Sequence, residues 1–387
     1  MDVIYFDHAA TTPLDEQVFE AMKPYFSEFF GNANSAHQLG RKAKVALEDS
    51  RETIASLLNA EPSEIVFTSG GTESDNAVIN GVLDATGKKE VITSPIEHHA
   101  ILHPVEMAKL KGVKPVYLQP DNNGVISASL VSEAISDNTA LVSLMHVNNE
   151  IGSINPLREI AAVCREKKIP FHSDTVQSVG KIPVDVKELG IDFLSISAHK
   201  IYGPKGVGVM YIRNGAPWIP WLHGGSQERR RRGGTSNVPG IVGTAKALEM
   251  SIQEMGKCSR KFNNLRKATI EGLKNELPGQ FKINGPENSG VPHIINIACT
   301  TADGSPLDGE MLLLNLDIEN ICVSNGSACT SGALDPSHVL KGLGLSNEMA
   351  TSSIRISYGK HNTVVEVKQL ISALKKILAQ MKPAVKA

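Results

Sequence analysis

The chain has 387 residues, 41% of them hydrophobic and 21% charged, the balance of a globular protein and not of a disordered one. Its 39 basic and 41 acidic side chains leave a net charge of −2, which excludes a dedicated polyanion binder, since such a surface needs a basic excess to pair with phosphates. At about 150 residues per domain the length fits two domains, or one large α/β domain with an appendage.

In chain order, residues 1–15 show no basic segment followed by an apolar one, so no signal peptide is expected. Helical spacing appears over 36–59. From 64 to 213, β-rich runs at 65–67, 91–93, 115–118, 140–144, 171–172 and 192–196 alternate with helical stretches such as the one carrying Leu157, Ile160, Ala161 and Cys164. Runs apolar on both faces, separated by helix-length segments, predict a mostly parallel sheet covered on both sides. Residues 206–213 read as a further strand, with an antiparallel direction open. After Gly256 the texture changes. A helix over 259–276 is broken by Pro278-Gly279, and strands follow at 281–284, 294–298 and 353–358. A last helix carries Val367, Leu370, Ile371, Leu374, Ile377, Leu378 and Met381 at 3.6-residue spacing. This part reads as a smaller α+β domain. No apolar run approaches the roughly 18–20 residues that cross a bilayer.

Candidate chemistry gathers at the strand ends. After the run at 65–67 comes Ser69-Gly70-Gly71-Thr72-Glu73-Ser74. A glycine pair and a hydroxyl residue opening a helix present backbone N–H groups to a phosphate, although an ordinary turn capped by Thr72 uses the same residues. His98 stands where an imidazole can stack on a cofactor ring and shuttle protons, or where a loop histidine is merely satisfied by polar neighbours. Asp174, in His172-Ser173-Asp174-Thr175-Val176-Gln177, can hold a heterocyclic nitrogen protonated while Gln177 donates to a phenolic oxygen. In pyridoxal phosphate that protonated nitrogen makes the ring an electron sink. The plainer role for Asp174 is a helix cap. Lys200, in Ser197-Ala198-His199-Lys200 before a Gly/Pro-rich turn, sits at a strand's carboxyl end, where open α/β sheets bind ligands. A desolvated lysine there can form a Schiff base; a solvated surface lysine is the alternative.

The five cysteines, Cys164, Cys258, Cys299, Cys322 and Cys329, are odd in number and scattered, so no disulfide framework is expected and a reducing, cytoplasmic compartment is. Cys329 lies among Gly, Ser, Thr and Ala residues that cannot pack a core, which suggests an exposed loop with a reactive thiol. Cys322, between Ile321 and Val323, reads as buried and inert. Arg355 lies inside the strand 353–357, where a buried guanidinium needs an anion: a substrate carboxylate or a structural salt bridge.

Together these residues make one coherent site. With Asp7-His-Ala-Ala-Thr-Thr-Pro13, Gly31-Asn32, His146-Val-Asn-Asn-Glu150, Gly224-Gly-Ser-Gln-Glu-Arg229 and Gly326-Ser-Ala-Cys329, the ordered set resembles the cysteine desulfurases of the NifS/IscS-like kind over essentially the whole chain. These are fold-type I pyridoxal-phosphate (PLP) enzymes, and the cysteine loop is more like this branch than the selenocysteine-lyase-like branch. The resemblance implies a large domain over 15–256 with a mostly parallel seven-stranded sheet, and a small α+β domain from 1–14 and 257–387. It implies that Lys200 holds the cofactor as a Schiff base and later moves the substrate's α-proton, that His98 stacks on the ring, and that Asp174 and Gln177 pair with the pyridine nitrogen and ring hydroxyl. Gly71, Thr72, Ser197 and His199 would bind the phosphate, with Thr235 contributed by a partner subunit of a homodimer. Asn149 and Arg355 would hold the substrate carboxylate, Asn149 lying also against the cofactor. Cys329, as thiolate, would take the sulfur of L-cysteine as a persulfide and leave alanine. An iron–sulfur scaffold or sulfur-carrier protein would accept the sulfur, for cluster assembly or tRNA thiolation. No firm metal site is implied beyond a transient contact of the Cys329 persulfide with an iron–sulfur cluster, and no nucleic-acid or membrane partner.

Three departures stand out. Where the family reads Glu-Arg-Gly-x-Arg, this chain has Glu228-Arg229-Arg230-Arg231-Arg232. If the glycine position has positive φ, Arg230 strains the loop and the placement of Thr235 shifts. The run is expected to be a solvated loop at a dimer edge and not an anion site. Thr175 replaces a usual alanine and Asn325 a frequent serine. Two other readings compete. Another PLP reaction, by a selenocysteine lyase or an aminotransferase, has to account for the cysteine loop, which an aminotransferase does not need. A non-enzymatic scaffold for sulfur transfer has to account for an intact Lys200, His98 and Asp174.

Overall fold

The computed structural model describes residues 3–326 and 335–381. The described chain opens on a short strand, β1 (Ile4–Tyr5), and reaches its main sheet after a long helix, Gln38–Leu58. Strands β2 (Ile65–Thr68), β3 (Glu90–Thr93), β4 (Lys114–Tyr117), β5 (Thr139–Ser143), β6 (Phe171–Asp174), β7 (Phe193–Ser197) and β8 (Gly208–Ile212) form one seven-stranded sheet in the order β2-β8-β7-β6-β5-β3-β4. The pairs from β4 through β7 are parallel, and β8 runs antiparallel to both β2 and β7. Every residue of β2, β3, β5, β6, β7 and β8 is buried, as expected of strands covered by helices on both faces. Only β4 is partly exposed. It is an edge strand and contains Pro115, which an edge tolerates because one side of its ladder is unpaired.

The later strands are β9 (Phe281–Asn284), β10 (Ile294–Cys299), β11 (Ile321–Cys322) and β12 (Ser353–Ser357). Antiparallel β12-β10-β9 form a three-stranded sheet, and β1 pairs with β11 in parallel. Ile4 and Phe6 share a core with Leu312, Leu316, Ile356, Leu370 and Leu374, distinct from the core around the main sheet. The helix expected over 259–276 is the second half of one 39-residue helix, Val238–Glu276. Its first half packs Ile241, Ala245 and Leu248 into the main core, and its second half packs Phe262, Leu265 and Leu273 into the other. Gly256 weakens a helix by about 1 kcal/mol relative to alanine but cannot end one whose flanks are packed. The apolar last helix is present as Val364–Leu378.

One buried ion pair ties the main sheet to the arginine-rich loop. Arg51, 2% exposed, donates to both carboxylate oxygens of Glu228 at 2.7 and 2.9 Å and to the carbonyl of Ile65 at 2.8 Å. The Phe67 N–H also donates to Glu228, at 3.0 Å. Arg51→Ala leaves that carboxylate buried without its counter-charge, and should cost about 3–5 kcal/mol of stability, measured as a lowered urea midpoint.

The expected solvated loop holds for Arg229 and Arg230, which are exposed, while Arg231 and Arg232 are partly buried and the run is also tied to the protein. Arg229 donates to the Pro62 carbonyl at 3.0 Å, Arg231 to the Ser63 carbonyl at 2.6 Å, and Arg232 grips Glu73 at 2.8 and 3.0 Å. Glu228, Arg229 and Arg230 have φ of 45°, 56° and 65°. Left-handed conformations cost an L-residue roughly 1–2 kcal/mol each, so Arg230 is strained at its glycine-like position. The surrounding hydrogen bonds hold the strain in place.

Candidate active site

The carboxyl ends of β6 and β7 open on one side of the sheet, where parallel α/β sheets bind ligands. Asp174 ends β6, Ser197 ends β7, and Lys200 closes the helical turn Ala198–Lys200. The helix Gly71–Thr86 points its amino end at the same place, and its first two residues, Gly71 and Thr72, line the cavity. A side chain at Gly71 would come within 2.7 Å of Val176, so only glycine lets the helix approach this closely.

The cavity is about 410 Å³. Gly71, Thr72, His98, Asn149, Asp174, Gln177, Ser197, His199, Lys200 and Arg355, all singled out in the sequence, border it. The Lys200 ammonium donates to the carbonyls of Ala9 and Ala10 at 2.7 and 2.6 Å. Gln177 Nε2 donates to the same Ala9 carbonyl at 2.8 Å. His98 caps its helix, its Nδ1 accepting from the Ala100 N–H at 3.1 Å. His199 Nδ1 lies 3.1 Å from the Thr11 hydroxyl. Arg355 pairs with Asp7 at 2.8 Å and donates to the Asn149 carbonyl at 2.9 Å and the Ser324 hydroxyl at 3.0 Å. Its Nε and the Asn149 Oδ1 are buried without a hydrogen-bond partner.

The model of the family described as "Aminotransferase class-V" matches residues 4–370. The chain belongs to the class-V aminotransferase family. It is 44% identical over 381 residues to a protein of Dictyoglomus turgidum named cysteine desulfurase IscS, covering 98% of this chain and 95% of that one. A solved structure titled "NIFS-LIKE PROTEIN" superposes with a TM-score of 0.89 at 37% identity, covering 97% and 99% of the two chains. A second, titled "SspA in complex with cysteine", superposes with a TM-score of 0.80 at 38% identity, covering 93% and 100%.

The cofactor of this member of the class-V aminotransferase family is pyridoxal 5′-phosphate, and the cavity's donor set fits it. A helix amino end flanked by Ser197 and His199 suits a phosphate. Asp174 is a buried acid able to pair with a ring nitrogen, and Gln177 and Lys200 supply donors for the opposite edge. The electrostatics agree. Burial first, then Arg355, lowers the Lys200 pKa to about 8. Burial raises that of Asp174 to about 6, against the Val176 N–H and Lys200. Burial, helped by Lys200, lowers that of His98 to about 4, although its ring is exposed to the cavity. The imidazole is therefore neutral at pH 7, with Nδ1 occupied by the Ala100 N–H and the ring proton on Nε2, and it is free to stack.

Two predicted residues do not enter this picture. Thr235 is exposed and is not among the residues bordering its own chain's cavity. Cys329 lies outside the described residues. Cys322, expected to be buried, is half-buried, and burial still raises its pKa. The salt bridge considered for Arg355 exists, yet the same side chain borders the cavity. Thr175 is accommodated in place of alanine by donating to the Ser195 carbonyl at 2.8 Å. Sequence reasoning missed Asp7, Asp75, Ser324 and the Ala9 and Ala10 carbonyls. Asp75 borders the cavity at 1% exposure, and helical spacing gave no sign of it. Asp7 lay inside a motif, but its partner Arg355 is 348 residues away.

Proposed function

We propose that the cavity converts L-cysteine to L-alanine and passes the sulfur to Cys329 as a persulfide. The observation that carries this is the convergence of Lys200, Asp174, Gln177 and Arg355 on one cavity whose wall includes Ser324 and Gly326. Bound there, PLP supplies an electron sink for carbanion chemistry. Lys200 is placed to bind the cofactor and to move a proton at the substrate's α-carbon. Arg355 and Asn149 hold the carboxylate, and neutral His98 stacks and assists proton transfer. The Cys329 thiolate forms an S–S bond to the substrate sulfur as its Cβ–S bond breaks, and the released carbon takes up a proton to give alanine.

The protein works as a homodimer in this reading, with Thr235 completing the partner's phosphate site. Its exposure, and the exposed Ile219, Trp221 and Leu222 shortly before it, support this. A scaffold or sulfur-carrier protein receives the sulfur for iron–sulfur clusters or tRNA thiolation, in the cytoplasm. Among the described residues no helix is long and apolar enough to cross a membrane. The distinct clusters around the main sheet and around Ile4 and Phe6 support a large domain over 15–256 and a small one from 1–14 and 257–387, with the helix Val238–Glu276 spanning both.

Incubation of the PLP-loaded protein with L-cysteine and a thiol reductant should yield alanine and sulfide in equal amounts. Release of a keto acid, or no alanine at all, overturns the reading.

A further inference from the structure

Four residues beyond Gln177 lies Lys181, a lysine with no role in the chemistry above. Its ammonium donates to Gln177 Oε1 at 2.8 Å. The lysine ammonium is donor-only, so in its protonated form Lys181 holds the amide with Oε1 toward itself and Nε2 toward the Ala9 carbonyl. Nε2 already donates to the Ala9 carbonyl that also receives Lys200, and its second hydrogen remains for a ligand oxygen.

Among the described residues, no carboxylate lies within ion-pair distance of Lys181. On its other side is a small cavity of about 30 Å³, bordered by His8, His293, Glu254 and Lys360 among others. There Lys360 is paired with Asp15 at 2.6 Å and Glu254 at 3.4 Å. The charges that act on Lys181 are the cations Lys200 and Arg355. His8, His199 and His293 feel its charge in turn, and all three have lowered pKa values. Asp174 and Asp7 act on Lys200. Burial, Lys200 and Arg355 together push the Lys181 pKa down to about 7, a cost that an anion arriving in the cavity would offset.

We propose that Lys181 is a positioning residue for the cofactor: it locks Gln177 as a donor and places a positive charge behind it, so that the ring oxygen is bound in its ionised form. This rests on the PLP site proposed above, and in particular on Gln177 facing the ring hydroxyl.

The test is the pH titration of the bound cofactor's absorbance, together with the PLP dissociation constant of the reconstituted protein. Removing the charge in Lys181→Met favours the protonated chromophore. The midpoint should rise by about one pH unit and the dissociation constant by about tenfold. Lys181→Gln keeps a donor for Gln177 without the charge, and should shift the midpoint in the same direction should the methionine variant fail to fold. Lys360→Met, a charge bordering the same small cavity but paired elsewhere, should move neither quantity. An unmoved midpoint in both Lys181 variants, or an equal shift in Lys360→Met, overturns the inference while the wild-type spectrum leaves the PLP site standing. A wild type that takes up no cofactor overturns the site itself and this inference with it.

Discussion

Lys200→Ala should leave a folded, colourless protein that loses PLP on dialysis and turns over L-cysteine more than about 10³-fold more slowly. The lysine's surroundings are what make it special. Two carbonyls, those of Ala9 and Ala10, hold its ammonium, while burial and the Arg355 guanidinium work against the charge and bring its pKa from 10.5 to about 8. At pH 8 roughly half of the side chain is then neutral, on the order of a hundredfold more than an ordinary lysine provides. Only the neutral amine attacks a carbonyl. The sign follows directly: cofactor uptake by the wild-type apoprotein should quicken as pH rises through about 8, because protonation below it blocks the nucleophile. Visible absorbance after dialysis, with circular dichroism as the check on folding, measures both. Retained colour in Lys200→Ala would contradict the assignment.

Local patterning made most of the main sheet legible, because parallel strands buried on both faces are written as short apolar runs between helix-length segments. It also placed Lys200, Asp174 and Ser197 at strand ends, where such sheets bind ligands. What escaped was long-range. The pairing of Ile4 with Ile321 and of Tyr5 with Cys322 involves strands too short to have a period. Of the long helix Val238–Glu276, the sequence pattern gives only 259–276, and no element is assigned to the stretch before Gly256. The carbonyls that hold Lys200 belong to alanines and have no side-chain signature. The bond of Lys181 to Gln177 has no signature in the sequence. Arg230 was the reverse case: a departure noticed in the sequence became a measurable φ of 65°.

Cys329→Ser should keep the cofactor's colour and yet lower alanine and sulfide production by more than about 10²-fold. The other four cysteines cannot take its place. Burial pushes the Cys164 and Cys299 thiols up to about 12. Burial also raises Cys258, with Glu254 adding to it, and Cys322, with Asp317 and Asp7 adding to it. The thiolate is the nucleophile in sulfur transfer, and a thiol at 12 is ionised on the order of one part in 10⁴ at pH 8. None of these four borders the cavity. Gly326 does, and Cys329 follows it by three positions in the sequence. A serine hydroxyl ionises far less readily than a thiol and cannot form a persulfide, so the substrate sulfur has no acceptor while the proposed PLP site at Lys200, Asp174 and Gln177 is untouched. Cys258→Ser should leave turnover near the wild-type value. Undiminished turnover in Cys329→Ser would mean that sulfur leaves the cavity without a covalent carrier on this chain, and the persulfide step would have to be abandoned while the PLP chemistry stood.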